Sequence, residues 1–304
     1  MNNSSVVKIQ KKNLKKKKYF LSDLSLSSPL RSFCRLLSYG VITFLCIPIQ
    51  MFFLLIGSNK LETFPVAYHR LCCHILGIKI EKVGIPSQER PTLFVSNHTS
   101  YLDIMILSTF VPVSFVSKAE VKGWFLFGLL AKLQRTVFIN RKREDTKGHR
   151  NDILKRLDAG DNIVLFPEGT SNDGNKVLPF RSALFSVAEQ RVGGRGDYQS
   201  REITIQPISI AYTKLNGFPL GYALRPMVAW YGGMDIEGHL WNLVGLGKIT
   251  AVVRFHKSIT LHEFGSRKLT SEYCHEIIAT SLSDDLSGHS DFLKKTPDLS
   301  YDKD

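Results

Sequence analysis

A chain of 304 residues, 43% of them hydrophobic, is long enough to bury a substantial core and too apolar to be wholly disordered. Its cysteines, at positions 34, 46, 72, 73 and 274, form neither a zinc-ligand series nor a secreted disulfide framework, which points to a reducing compartment. The formal net charge of +13 admits nucleic acid or anionic lipid as partner, and its location decides between them.

Residues 1–30 read as a basic flexible arm, with Lys8, Lys11, Lys12 and the run from Lys15 to Lys18. No aromatic and basic interleaving comes after it. The next landmark is the uncharged, mostly apolar run 36–57, bounded by Arg35 and Lys60, so anionic membrane lipid rather than nucleic acid is the partner expected. Gly40 and Pro48 interrupt the helical pattern, and residues 31–66 are predicted as a helical hairpin or re-entrant segment with both ends on one membrane face. A single span with the basic arm inside would instead export the rest of the chain. The long basic prefix, the late start of the apolar run and the lack of a clear small-residue cleavage site argue against a cleaved signal peptide.

Beyond this anchor, 68–76 reads as a connecting helix, 78–83 as a strand, 86–91 as a polar turn and 93–95 as a strand leading into an apolar helical stretch at 102–110. Strand-like pieces recur at 114–117, 137–139, 163–166 and 203–210, with a helix or re-entrant surface segment at 121–133. A crossover helix is expected within 142–160, with Ile153, Leu154 and Leu157 on one face. Residues 228–233 and 249–255 supply further β-prone or turn material, and 281–304 read as a polar C-terminal tail. This alternation predicts an α/β domain over 67–280.

His98 stands where a strand hands over to a helix, and a neutral imidazole there can take a proton from a hydroxyl while Asp103 orients it. A second reading fits the same residues: Ser100 or Thr99 caps the helix with Asp103 at its third position, leaving His98 in a loop. The residues alone leave both open, because no Ser or Cys nucleophile is placed beside them. The nine histidines form no convincing ligand series, and no metal is expected.

Four ordered motifs add to this: Asn97-His98 with Asp103, Val137-Phe138-Ile139-Asn140-Arg141, Phe166-Pro167-Glu168-Gly169-Thr170, and Ile205-Gln206-Pro207-Ile208-Ser209-Ile210. Together, over residues 85–215, they resemble the lysophospholipid and glycerophospholipid acyltransferase family typified by 1-acylglycerol-3-phosphate acyltransferases. The resemblance implies a central mixed sheet flanked by helices, preceded by a membrane-associated helical segment. It also implies direct transfer of a fatty acyl group from acyl-CoA or acyl-ACP to a lysophospholipid hydroxyl, with His98 as base, Asp103 as its support and no further cofactor. On the same ground Arg141 is expected to bind acceptor phosphate, Glu168 to orient polar groups or bind the acceptor's glycerol portion, and Gly169 and Thr170 to line the acceptor site.

Two departures stand out. Arg135 occupies a position where the family often has glycine, and Ser171 one where many members carry a phosphate-binding arginine; Arg181 is the expected substitute, with Lys176 competing. Trp124, Phe125 and Phe127 are candidates for headgroup and acyl-chain contact or for plain helix packing, and Lys118 with Glu120 matches a charged pair common in the family. The acceptor implied first is 1-acyl-sn-glycerol-3-phosphate, giving phosphatidic acid, with lyso-ornithine lipid or another lysolipid as alternative. An inactive membrane-binding scaffold and a lipid hydrolase are the other readings. The expected location is a bacterial inner membrane, catalytic domain facing the cytoplasm.

Overall fold

The computed structural model describes residues 26–139, 146–192 and 201–288; the lysine run of the basic arm, Arg141 and residues 289–304 lie outside the described residues. The first element, α1 (Pro29–Leu55), starts at Ser28, whose hydroxyl accepts the Arg31 N–H, with Pro29 in the first turn. A turn through Gly57, at φ 60°, folds the chain back into α2 (Lys60–Ile75). The expected helical pair is present, but the second helix runs past the expected boundary at 66. Pro48 stands inside α1 rather than ending it. Bonds from Thr43 to the Tyr68 hydroxyl, at 2.8 Å, and from Gln50 to the Leu61 carbonyl, at 2.9 Å, tie α1 to α2 on either side of the missing N–H.

The chain continues through β1 (Ile78–Val83), β2 (Thr92–Ser96), α3 (Leu102–Leu107) and β3 (Ser114–Lys118) to a 3-10 turn, Ala119–Gly123. Next come α4 (Phe125–Leu133), β4 (Val137–Ile139), α5 (Thr146–Asp158) and β5 (Ile163–Leu165). A 3-10 helix, Ser182–Glu189, precedes the short pair β6 (Arg191–Val192) and β7 (Arg201–Glu202). The last part holds β8 (Thr204–Leu215), β9 (Phe218–Pro219), α6 (Ile236–Val244), β10 (Ile249–Phe255), α7 (Leu261–Phe264) and α8 (Arg267–Ser287).

Among the described residues the main sheet runs β1-β10-β8-β2-β5-β3-β4, with β9 paired to β8. It is mixed: β10 and β9 pair antiparallel with β8, and the other neighbours are parallel. Because side chains alternate along a strand, Leu93 and Val95 enter one core with Ile153, Leu157 and Ile278, while Phe94 enters another with Leu102, Ile106 and Val244. Layers on both faces therefore hold β2, which delivers His98, rigid.

Helix α1 is built inside out. Its buried positions are Ser32, Thr43 and Gln50, whereas Phe44 is 76% exposed and Leu55 83% exposed. Ser32 donates to the Trp241 carbonyl and Arg35 to the carbonyls of Val244 and Leu246, so the polar face binds the domain and the apolar face turns outward. An outward apolar face on a helix long and apolar enough to cross a membrane is the pattern of a lipid contact.

The stretch 228–233, read as β-prone or turn material, forms turns, with Gly232 at φ 65°. Helix α8 extends beyond the boundary drawn at 280, with Leu282 and Asp285 buried, because Asp285 pairs with Arg254 of β10 at 2.7 Å. Arg135 takes the left-handed conformation that glycine favours, at φ 60°, and its guanidinium bridges Glu62 of α2 and Asp161, each at 3.0 Å. Those bridges fasten the helical pair to the catalytic layer.

Asn97 joins the catalytic strand to its neighbour: its amide donates to the Ile210 carbonyl at 2.9 Å and its oxygen accepts the Ile210 N–H at 2.8 Å, both buried. Asn97→Ala leaves two buried backbone groups unpaired, each worth about 1–3 kcal/mol. Thermal unfolding should show the corresponding drop in stability; a wild-type melting curve would contradict the role.

Candidate active site

The loop between β2 and α3 is organised by one carboxylate. Asp103 is fully buried, and its Oδ2 accepts the Thr99 N–H at 2.7 Å, the Ser100 N–H at 2.9 Å and His98 Nδ1 at 2.9 Å. Its Oδ1 accepts the Tyr212 hydroxyl of β8 at 2.7 Å. Burial, with the Asp103 carboxylate next in importance, pushes the Tyr212 phenol far above its usual range, so it remains a donor. The bond to a carboxylate fixes the proton on Nδ1 and leaves Nε2 as the basic nitrogen of His98.

The capping reading is half right. Asp103 does reach back to the loop amides, but the Ser100 hydroxyl makes no cap bond and has no hydrogen-bond partner among the described residues. One carboxylate thus serves both readings, holding the helix entry and the imidazole together.

A second carboxylate fixes the backbone of the same histidine. Glu168, just after β5, accepts the His98 N–H at 2.7 Å through Oε1, and through Oε2 the Asn172 amide at 2.6 Å and the Leu178 N–H at 2.9 Å. The Asn172 N–H returns a bond to the His98 carbonyl at 3.2 Å. Phe166 stacks on the imidazole, with centroids 4.2 Å apart and planes 17° from parallel. Glu168 is buried with donors on both oxygens, which assigns it to positioning rather than to direct acceptor contact.

His98 lines a groove of about 1370 Å³ that also takes in Phe115, Trp124, Phe127, Phe166 and Phe180 and extends to Tyr39 and Ile47 of α1. Gly169, Thr170, Ser171 and Arg181 lie on its wall; Lys176 is absent from its lining and exposed. Gly169 has φ 70°, and a Cβ there would meet the Arg181 guanidinium carbon at 2.9 Å, so glycine lets that cation lie over the loop. The Ser171 hydroxyl donates to the Trp230 carbonyl. Trp124 and Phe127 face the groove, while the Arg141 position and the Phe125 side chain lie outside the described residues.

Sequence reasoning missed Tyr212, Trp230, Asn172 and the pairing of Tyr101 with His239, whose Nδ1 lies 3.0 Å from the Tyr101 hydroxyl. Asn172, Tyr101 and Tyr212 sat within or beside recognised motifs, but nothing local marked their partners; Trp230 and His239 arrive from the turns and helix after β9.

The geometry yields two expected outcomes. His98→Ala removes the base and should lower kcat roughly 10²–10⁴-fold in a folded protein. Asp103→Asn confronts four donors with a single acceptor oxygen and should lower both kcat and melting temperature; normal turnover by either folded variant contradicts the assignment.

Burial raises the Glu168 carboxyl to about 7, against the pull of its three donors and the His98 charge. Between its ordinary value of 4.5 and about 7 the folded enzyme keeps a proton that the unfolded chain has released, so this group's contribution to stability is lost as pH rises through about 7. The ionised form serves all three donors, so activity should rise over the same range. Glu168→Gln should lower kcat/KM and make its acid limb shallower, and an unchanged limb would contradict the role.

The acyltransferase family profile matches residues 78–211, which include both carboxylates and His98. The chain is 38% identical over 243 residues to a lyso-ornithine lipid O-acyltransferase of Brucella abortus, covering 80% of this chain and 90% of that one. It is 30% identical over 207 residues to a 1-acyl-sn-glycerol-3-phosphate acyltransferase of Neisseria gonorrhoeae, covering 67% and 75%. The crystal structure of the 1-acyl-sn-glycerophosphate (LPA) acyltransferase PlsC from Thermotoga maritima has the same fold, with a TM-score of 0.60 at 17% identity over 84% of this chain and 97% of that one. The profile match over residues 78–211 and the nearly full-length relative together establish that this chain is an enzyme of the acyltransferase family.

Proposed function

We propose that the enzyme transfers a fatty acyl group from a thioester, acyl-CoA or acyl-ACP, to the free hydroxyl of a lysolipid. The observation that carries this reading is the His98–Asp103 pair, at 2.9 Å, on the wall of a large apolar groove that continues to an outward-facing apolar helix. His98 Nε2 takes the hydroxyl proton as the oxygen attacks the thioester carbonyl. The tetrahedral adduct then expels the thiolate, which leaves with the proton from the imidazolium. The chemistry calls for no metal or prosthetic group and no acyl-enzyme. The inactive-scaffold reading is disfavoured by a base that is fully oriented.

For the acceptor we favour a lyso-ornithine lipid, a 3-hydroxyacyl chain amide-linked to ornithine. Ser171 puts a neutral hydroxyl, already engaged with Trp230, where a phosphate-binding arginine was expected. The similarity to the Brucella abortus protein supports the same choice. The second reading is 1-acyl-sn-glycerol-3-phosphate, supported by Arg181 on the groove wall and by the Neisseria gonorrhoeae relative, with Arg141 as a further phosphate ligand. Either way the substrates reach the groove from a bilayer. We place the protein on the cytoplasmic face of a bacterial inner membrane, bound to anionic lipid through α1 and the basic arm, because both candidate thioesters are cytoplasmic.

A panel of purified lysolipids with labelled acyl-CoA and acyl-ACP tests this directly. The ornithine acceptor should give the highest kcat/KM, and Arg181→Ala should weaken the phosphate acceptor more than Lys176→Ala does. A preference for 1-acylglycerol-3-phosphate would install the second reading, and free fatty acid as the main product would make the protein a hydrolase.

A further inference from the structure

Four large aromatic side chains, Tyr101, Trp124, Trp230 and Tyr231, line the groove that holds His98. Three of the rings meet at steep angles rather than in a stack: Trp124 and Trp230 at 88° with centroids 6.3 Å apart, Tyr101 and Trp230 at 57° and 6.2 Å. Rings so arranged make a corner walled by π faces.

Trp230 is fixed in that corner at three points. Its N–H donates to the Thr99 carbonyl at 3.0 Å, its carbonyl accepts the Ser171 hydroxyl, and its indole N–H donates to the Met234 carbonyl at 3.2 Å. With the polar edge of the indole engaged, its π surface is what remains for a ligand. The bond to Thr99 also keeps the corner within a residue of the catalytic base.

The groove wall carries charges of both signs. Among the described lining residues Glu120 is the acid, while Lys118 and Arg181 are the long-chain cations. A π-faced corner with a carboxylate attracts an ammonium group, and a site that also has cations suits a headgroup bearing both signs.

We propose that Tyr101, Trp124, Trp230 and Tyr231, with the Glu120 carboxylate, form a seat for an alkylammonium group on the acceptor headgroup. The proposal rests on the lyso-ornithine reading and deepens it, since a phosphate monoester offers this seat nothing. The ornithine side-chain amine occupies the corner while the 3-hydroxyl lies at His98. The headgroup carboxylate is left to the cations of the groove wall, Arg181 foremost.

The test uses the full chain on anionic vesicles and two acceptors with the same 3-hydroxyacyl chain, one amide-linked to ornithine and one to norvaline, which lacks only the terminal amine. The wild type should prefer ornithine in kcat/KM by roughly three- to twenty-fold. That ratio should fall toward unity in Trp124→Leu and in Glu120→Gln, and Trp124→Phe should restore most of it. Trp124 is 40% exposed, so these replacements spare the core. A ratio near one in the wild type overturns the seat and leaves the acceptor reading standing. Use of 1-acylglycerol-3-phosphate and of neither amide overturns both. Loss of vesicle binding in Trp124→Leu with the ratio intact makes Trp124 a membrane anchor and also overturns the seat.

Discussion

The buried Asp103 carboxylate is the constraint on which the rest of the site depends. A charge without solvent contact is costly unless donors surround it, and here two loop amides, the imidazole Nδ1 and the Tyr212 hydroxyl do so. Those donors come from the loop after β2 and from the middle of β8. Satisfying the charge therefore requires the strand order, the loop conformation and the histidine tautomer together. Asn97, bonded twice to Ile210 in the same strand β8, locks the neighbouring register and makes that coincidence reproducible.

Glu168 extends the same logic to the backbone. Asp103 holds the ring of His98 and Glu168 holds its peptide N–H, so the histidine is fixed from two sides by acids from different elements, α3 and the loop after β5. The stacked Phe166 closes a third side. What stays open faces an apolar groove that reaches α1, whose polar residues bind the domain while Phe44 and Leu55 are presented outward, the polarity a lipid-facing helix requires. The ordered histidine and the outward apolar helix thus belong to one arrangement, with Arg135 bridging Glu62 of the helical pair and Asp161 beside β5.

Much of this was legible in the sequence because its signals were local. The short apolar runs at Leu93-Phe94-Val95 and around Ile163 became adjacent parallel strands, and the spacing of His98 and Asp103 became a direct bond. Pro48 misled because helix breaking is a local tendency that contacts between α1 and α2 override. Helix α8 was cut short because its last turn is polar, and the buried pair of Asp285 with Arg254 depends on a strand distant in sequence. For Glu168 the sequence left orientation of polar groups and acceptor contact both open, because a glutamate in a loop does not announce that three donors will converge on it. Tyr212 and Trp230 were invisible for a related reason: only the closed sheet and the turn after Val228 bring them to His98.

Central to the account is direct attack of a lysolipid hydroxyl, activated by His98, on the thioester carbonyl. The most direct measurement is rapid mixing of the full-length enzyme with isotopically labelled acyl thioester, first without acceptor and then with it, followed by intact-protein and lipid mass spectrometry. The account predicts no labelled protein at any time and a labelled ester on the lysolipid only after acceptor is added. A labelled acyl-protein formed before acceptor is present and discharged by it would contradict direct transfer and remove His98 from its assigned role as the base acting on the acceptor hydroxyl in a single step.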